Sequence, residues 1–159
     1  MCGICGIVWR GERRVDPDES RHALDAMMSA MKHRGPDGSG VHVGQRSALG
    51  HLRLAVIDVE SGAQPMSLPG KEMTLVFNGE LYNFQDLKPD LSRQGWTFTT
   101  RSDTEVLLAG HALEGDAFDR KLNGMYAYAR LDQMQGGEVI TLAVDPVGIK
   151  PIYVAETSE

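Results

Sequence analysis

Apolar positions along this chain come in short blocks with two different periods. Residues 5–9 ("CGIVW") form a compact apolar run and predict a first strand. From Asp16 to Gly35 the period lengthens. Ala23, Leu24, Met27, Met28 and Met31 recur at helical spacing and predict one buried face of a helix. Asp16 suits the N-cap, Pro17 the first turn, and Glu19 completes a capping box. The methionine stripe reads as core filler. Residues 35–40 ("GPDGSG") are loop by composition, and 47–60 ("SALGHLRLAVIDVE") read as a strand bent near Gly50. Residues 72–80 ("EMTLVFNGE") predict a strand running into a turn at Asn78-Gly79. Residues 83–95 look helical, with Asn83 as cap and Pro89 marking a restart. Residues 102–115 predict a second well-signalled helix, with Ser102 and Glu105 as a capping box and Gly115 near its end. Two strands, 124–132 and 138–145, follow, joined by a hairpin at "QMQGG". The connections in this last third are too short for helical crossovers, so that sheet is expected to be antiparallel.

Composition narrows the class. The chain has 159 residues, enough for one domain with a real core, and is 42% hydrophobic and 24% charged, the balance of an ordinary globular protein. A net charge of −6 argues against nucleic acid or an anionic membrane as the main partner. No apolar run approaches the roughly 20 residues of a membrane helix. Basic residues follow the first apolar run instead of preceding it, so no secretory leader is expected and a cytoplasmic setting is the default. Cys2 and Cys5 are the only cysteines, and two thiols near one terminus cannot staple a domain of this size.

The chemistry begins at "MCGICGI". Cys-x-x-Cys so close to the start admits a redox pair, half of a metal site, two unrelated thiols, or a first cysteine meant to become the N-terminus. With Met1 trimmed, Cys2 would carry a free α-amine, whose reference pKa of about 7.7–8.0 makes it a built-in base for its own thiol. A buried inert thiol is the competing reading. No second Cys or His pair supports zinc, and His33, His51 and His111 do not have metal-ligand spacing. The glycines of "HRGPDGSG" are followed by no Lys-Ser/Thr at P-loop spacing, so they predict a structural loop and not a phosphate cradle.

Seven segments, in order, carry a resemblance: "MCGICGI", "HRGPDGSG", "GHLRLAVIDVESGAQPM", "VFNGELYNFQDL", "RSDTEVLLAG", "LNGMYAYARLD" and "DPVGIKPIY". Together they resemble a class II glutamine amidotransferase domain of the N-terminal-nucleophile hydrolase type, and within that group the glutaminase domain of asparagine synthetases. The resemblance implies an α+β fold: a four-layer αββα sandwich, two mainly antiparallel sheets flanked by helices, over residues 1–159. It implies hydrolysis of L-glutamine to L-glutamate and ammonia through a thioester on Cys2, with no metal and no organic cofactor. Asn78, through its side chain, and Gly79, through its backbone N–H, would form the oxyanion hole, the glycine adopting a backbone conformation that aims its N–H inward. Arg53 would take the glutamine α-carboxylate, Glu80 and Asp103 its α-ammonium. Leu54, Ala55, Val56 and Ile57 would add backbone contacts.

The same resemblance implies a synthetase domain or subunit that accepts the ammonia, and it leaves homo-oligomerisation open. The Ser-Gly-Gly-x-Asp-Ser loop of such a domain is absent from this sequence, and the family's glutaminase domain usually continues for further strands, so a truncated domain or an unusually short free-standing protein is expected. Pro146 stands where an arginine is common. A weakly catalytic glutamine-binding module, an amidase for another amide, and a redox role for Cys2 and Cys5 are the rivals.

Overall fold

The computed structural model describes residues 1–11, 16–68 and 73–157. In chain order the elements are β1 (Gly3–Val8), α1 (Pro17–Ala30), β2 (Gly38–Val43), β3 (Ser47–Arg53), β4 (Met66–Ser67), β5 (Met73–Leu81), α2 (Phe84–Arg93), α3 (Asp103–Glu114), β6 (Gly124–Met134) and β7 (Gly137–Val144), with 3-10 turns at Lys32–Arg34 and Gly115–Lys121. One sheet has the order β1-β3-β2, the other β4-β5-β6-β7, and every strand pairing in both is antiparallel.

Alternation along the strands assigns the layers. On β3, Ala48 and Leu52 pack on Leu24 and Met28 of α1, while Leu49 faces the other way, against Val76, Ala129 and Leu131 of the second sheet. On β5, Leu75, Phe77 and Leu81 pack on α2 and α3 through Leu87, Leu91, Val106 and Leu107. The order is therefore α1, first sheet, second sheet, α2 with α3: the expected αββα sandwich.

Several local expectations change. Residues 38–40 belong to β2 and not to a loop, and the strand from Ser47 ends at Arg53, so residues 54–60 are free to line a site. Glu72 lies outside the described residues. Asn78 and Gly79 stay inside β5, paired with Ala127 and Tyr126, because nine consecutive residues of β5 find partners on β6. The turn signal is overridden by tertiary pairing. In α1, Met27 is exposed while Ser20, Leu24 and Met28 are buried, so the buried face is rotated from the one the methionines suggested. α2 runs unbroken through Pro89. Asn83 does not cap it with its side chain; that amide donates to Lys121 O and accepts from Asn123 N.

Asp16 caps α1 by accepting from Asp18 N at 3.0 Å, and Ser102 caps α3 by accepting from Thr104 N at 3.1 Å. Glu105 does not complete a box with Ser102. Its carboxylate accepts the N–H groups of Thr99 and Thr100 and both hydroxyls, pinning the approach to α3. Gly115 ends that helix at φ +65°, a conformation that favours glycine.

Candidate active site

In a strand, residues three apart face opposite sides of the sheet. Cys5 accordingly lies on the α1 side of β1, packed with Leu24, Met28 and Ala48. Burial raises its thiol to about 11, only partly opposed by the backbone of Gly50. Cys2 sits just before β1, on the side of Ile4, which faces the second sheet. The two thiols are thus separated by the sheet, and both are free. This geometry removes the redox-pair and metal readings of the motif. Cys2 Sγ accepts the Leu54 N–H at 3.4 Å, and Arg34 Nε donates to the Cys2 carbonyl at 3.1 Å. The nucleophile candidate is held at main chain and side chain alike, and it remains half-buried.

Cys2 opens into a concave cavity. Arg53, Leu54, Val56, Ile57, Asn78, Gly79, Glu80 and Asp103 line it too. Of the candidates read from the sequence only Ala55 is missing; its N–H turns to Asp37 Oδ2 at 2.9 Å, because one residue further along the extended chain points the other way.

The most informative wall is one edge of β5. β4 covers that edge only as far as Leu75. Beyond it, alternate residues direct their N–H and C=O groups away from β6. Phe77 N donates to Gln64 Oε1 at 2.6 Å, and Leu81 N donates to Asp103 Oδ2 at 3.1 Å. Gly79 lies between them with the same parity, so its N–H is directed off the open edge at the cavity. The glycine is not in the left-handed region. It is required because a Cβ would come within 2.2 Å of Met125 O and 2.6 Å of Tyr126 Cα. The close approach of β6, and not an unusual backbone angle, explains the residue. The Asn78 side chain points between the sheets, on the same face of β5 as Val76 and thus towards Cys2.

Charge in the cavity is mixed. Arg53 donates to the carbonyls of Ile57, Asp58 and Val59, which fixes the loop after β3. A guanidinium has five donors, so a carboxylate can still be paired. Gly62 leaves it room: a Cβ there would lie 2.7 Å from Arg53 Nη2. The Asp58 carboxylate ties the same loop to Arg101 N at 2.8 Å, just ahead of α3. Asp103, in the first turn of α3, is almost fully buried. Burial raises its carboxyl above the ordinary aspartate range, against the lowering effect of the N–H groups around it, while nearby Glu80 adds to the rise.

Several cavity residues carried no functional reading in the sequence. Gln64 and Thr104 are among them, as is Met125. Lys150 is the most unusual: it is 6% exposed, and its ammonium contacts Met1 Sδ at 2.7 Å. Asp145 holds the loop that carries it. Burial would raise that carboxyl, but the N–H groups of Ile149, Lys150, Tyr126 and Val147 outweigh burial and bring it down to about 2. The only signal for Lys150 was its place in "DPVGIKPIY".

A thiol, an open strand edge and paired charges of both signs meet in one cavity, and comparison with known proteins agrees with that arrangement. The sequence pattern of the glutamine amidotransferase domain matches residues 1–159. This chain belongs to that family. It is 38% identical over 153 residues to asparagine synthetase [glutamine-hydrolyzing] 1 of Bacillus subtilis, a match covering 96% of this chain and 24% of that protein. Against asparagine synthetase B [glutamine-hydrolyzing] of Escherichia coli it is 37% identical over 153 residues, covering 96% of this chain and 26% of the other. The chain thus spans about a quarter of the length of these relatives. Among solved structures, the glutamine phosphoribosylpyrophosphate amidotransferase of B. subtilis, complexed with ADP and GMP, superposes with a TM-score of 0.66 at 26% identity, over 92% of this chain and 38% of that one. An allosteric regulatory enzyme of purine biosynthesis superposes with a TM-score of 0.70 at the same identity and the same coverage.

Proposed function

We propose that this glutamine amidotransferase domain hydrolyses L-glutamine to L-glutamate and ammonia, and that the ammonia passes to an asparagine-synthetase-like acceptor domain or subunit. The observation that carries the reading is the placement of a half-buried thiol and the outward N–H of Gly79 on one cavity that also holds two cations and two acids.

The chemistry follows from those groups. Once Met1 is removed, the α-amine of Cys2 takes the thiol proton. The thiolate attacks the side-chain amide carbon, and the negative charge on the amide oxygen is met by Gly79 N–H and the Asn78 side chain. The C–N bond then breaks as the α-ammonium returns its proton to the leaving nitrogen, giving ammonia and a glutamyl thioester. Water attacks the thioester, yields its proton to the same amine, and glutamate leaves. Arg53 pairs with the substrate α-carboxylate, and Glu80 and Asp103 take its α-ammonium. An arriving ammonium favours the ionised form of Asp103, which burial otherwise disfavours. Leu54 holds the thiol through its N–H and, with Val56 and Ile57, closes the wall. Thiol, amine and water supply every proton transfer, so this half-reaction calls on no metal or organic cofactor. Both asparagine synthetases are glutamine-hydrolysing by name, which supports glutamine as the amide and a synthetase as the acceptor.

The test is intact mass spectrometry of the purified protein after treatment with a glutamine-analogue electrophile, beside an assay of glutamate release. The expected result is a chain lacking Met1, one adduct on Cys2, and glutamate formed from glutamine. A trimmed chain that takes no adduct and releases no glutamate would overturn the reading.

A further inference from the structure

The open edge of β5 is closed residue by residue by side chains, with one interruption. Phe77 immediately precedes Asn78, and both of its backbone groups are held. Gln64 Oε1 accepts its N–H at 2.6 Å, and His51 Nε2 lies 3.2 Å from its carbonyl oxygen. Only an N–H can satisfy a carbonyl, so His51 is the tautomer protonated at Nε2. The ring is fully buried, and burial lowers it to about 4, an effect that the Phe77 carbonyl partly opposes, so it is a neutral donor at physiological pH. The other half of the Gln64 amide donates to Thr104 Oγ1 at 3.2 Å, beside Asp103. Asp103 in turn accepts from Leu81 N. Among the described residues, no side chain takes the edge at Gly79.

We propose that Gln64 and His51 are positioning residues for the oxyanion site: they grip the peptide groups of Phe77 and thereby fix where Asn78 and Gly79 present their donors. This rests on the glutaminase reading above for its kinetic consequence, but the grip itself is a structural property. Without it, residues 77–79 are held by β6 alone, on one edge. Donors must wait at the position the charged oxygen will occupy, so a displacement of a fraction of an ångström to 1 Å is costly. Gln64 adds a link between this edge and the first turn of α3, where the substrate ammonium would sit.

Four variants test this: Gln64→Ala, His51→Leu, His51→Gln and Thr104→Val. Gln64→Ala and His51→Leu are expected to lower kcat about 10- to 100-fold with KM for glutamine changed less than about threefold. His51→Gln, which retains an N–H donor, should recover most of the loss. Thr104→Val, which keeps the Phe77 contact, should do less harm than Gln64→Ala. Alkylation of Cys2 by iodoacetamide, which builds no oxyanion, should keep its wild-type rate throughout. Amide hydrogen exchange gives a readout independent of turnover: protection at Asn78, whose N–H faces β6, should fall about tenfold or more in Gln64→Ala and His51→Leu. Unchanged kcat in a folded Gln64→Ala protein overturns the proposal. So does alkylation that slows in step with turnover, or unaltered exchange at Asn78. A wild-type protein without glutaminase activity would sink the reading of the reaction and leave the exchange experiment to decide the grip.

Discussion

The two ends of α3 both bury charged side chains, and they treat them in opposite ways. At the C-terminal end, His111 Nδ1 accepts from Arg130 Nη1 at 2.7 Å, and its Nε2 faces Asp119 at 3.4 Å. Arg130 also pairs with Asp132 at 2.7 Å and Asp116 at 2.8 Å, while the Tyr128 hydroxyl donates to Asp119 at 2.9 Å. Burial lowers the His111 ring, the Arg130 charge lowers it further, and the histidine stays neutral. The charged groups Arg130, Asp116, Asp119 and Asp132 are all paired inside the protein, and buried His111 Nε2 is left without a hydrogen bond. At the N-terminal end, Asp103 has the Leu81 N–H and a weak Ser102 hydroxyl contact, and the rest of its surroundings is cavity. Its carboxyl is raised by burial, which the N–H groups of Leu81, Thr104 and Asp103 itself only partly oppose. Buried polar groups that hold a fold together are satisfied within it. Those left with unused capacity in a concave site are waiting for something from outside.

Substitutions should therefore separate activity from stability according to which end they touch. The largest effect belongs to the nucleophile: Cys2→Ala should lower kcat by on the order of 10⁴–10⁶, measured as glutamate release, with the melting temperature little changed. Cys5→Ser, on the far side of β1, should leave turnover near wild type, and equal loss in both variants would contradict the assignment. Next, Asn78→Ala should cost about 10²–10³ in kcat. A rise in KM alone would place Asn78 outside the oxyanion site.

Arg130→Met, at the end whose charges are paired internally, should reverse the pattern. It strands Asp132 and His111 and should lower stability by on the order of 3 kcal/mol in denaturant titration, with kcat/KM of the folded protein unchanged. Lost activity without lost stability would break the contrast between the two ends.

The smallest shift sharpens it. Asp103→Asn removes a charge-assisted contact and should raise KM for glutamine about 10-fold or more. It should also raise the melting temperature at neutral pH, by about 1–3 °C. The sign follows from the raised carboxyl. The folded chain binds that proton more tightly than the unfolded chain, so the stabilisation is complete below the unfolded value of 3.8 and is lost as pH rises through the folded value. At neutral pH the ionised aspartate burdens the fold, and the gain in the variant should vanish in scans near pH 3.

Much of this was visible in the chain. The αββα order was legible, and every residue proposed for the site but Ala55 lines the cavity, because seven ordered segments resemble one family and because Cys2, Arg53, Asn78 and Asp103 are chemically apt for an amino-acid amide. Local signals that depend on distant partners were not. Asn78-Gly79 has the composition of a turn, and only the presence of β6 keeps it extended. Glu105 has capping-box spacing, yet two threonine N–H groups nearby compete for it successfully. Gln64 and His51 gave no warning of a role: a glutamine in a loop and a histidine in an apolar strand acquire meaning only when Phe77 arrives between them. Lys150 lies 149 positions from Met1, and no local pattern announces that contact.

The hook made by Asp145 has a consequence for how this protein should fail in acid. Its carboxyl is depressed, so what it contributes is present above the unfolded value of 3.8 and disappears as pH falls towards about 2. Protonation would release Val147, Ile149 and Lys150, the last of which lines the cavity, while both sheets keep their apolar interiors. Souring the solution should thus disarm the protein in stages, the chemical centre going slack while the scaffold still stands, and neutralisation should rearm it without a full refolding.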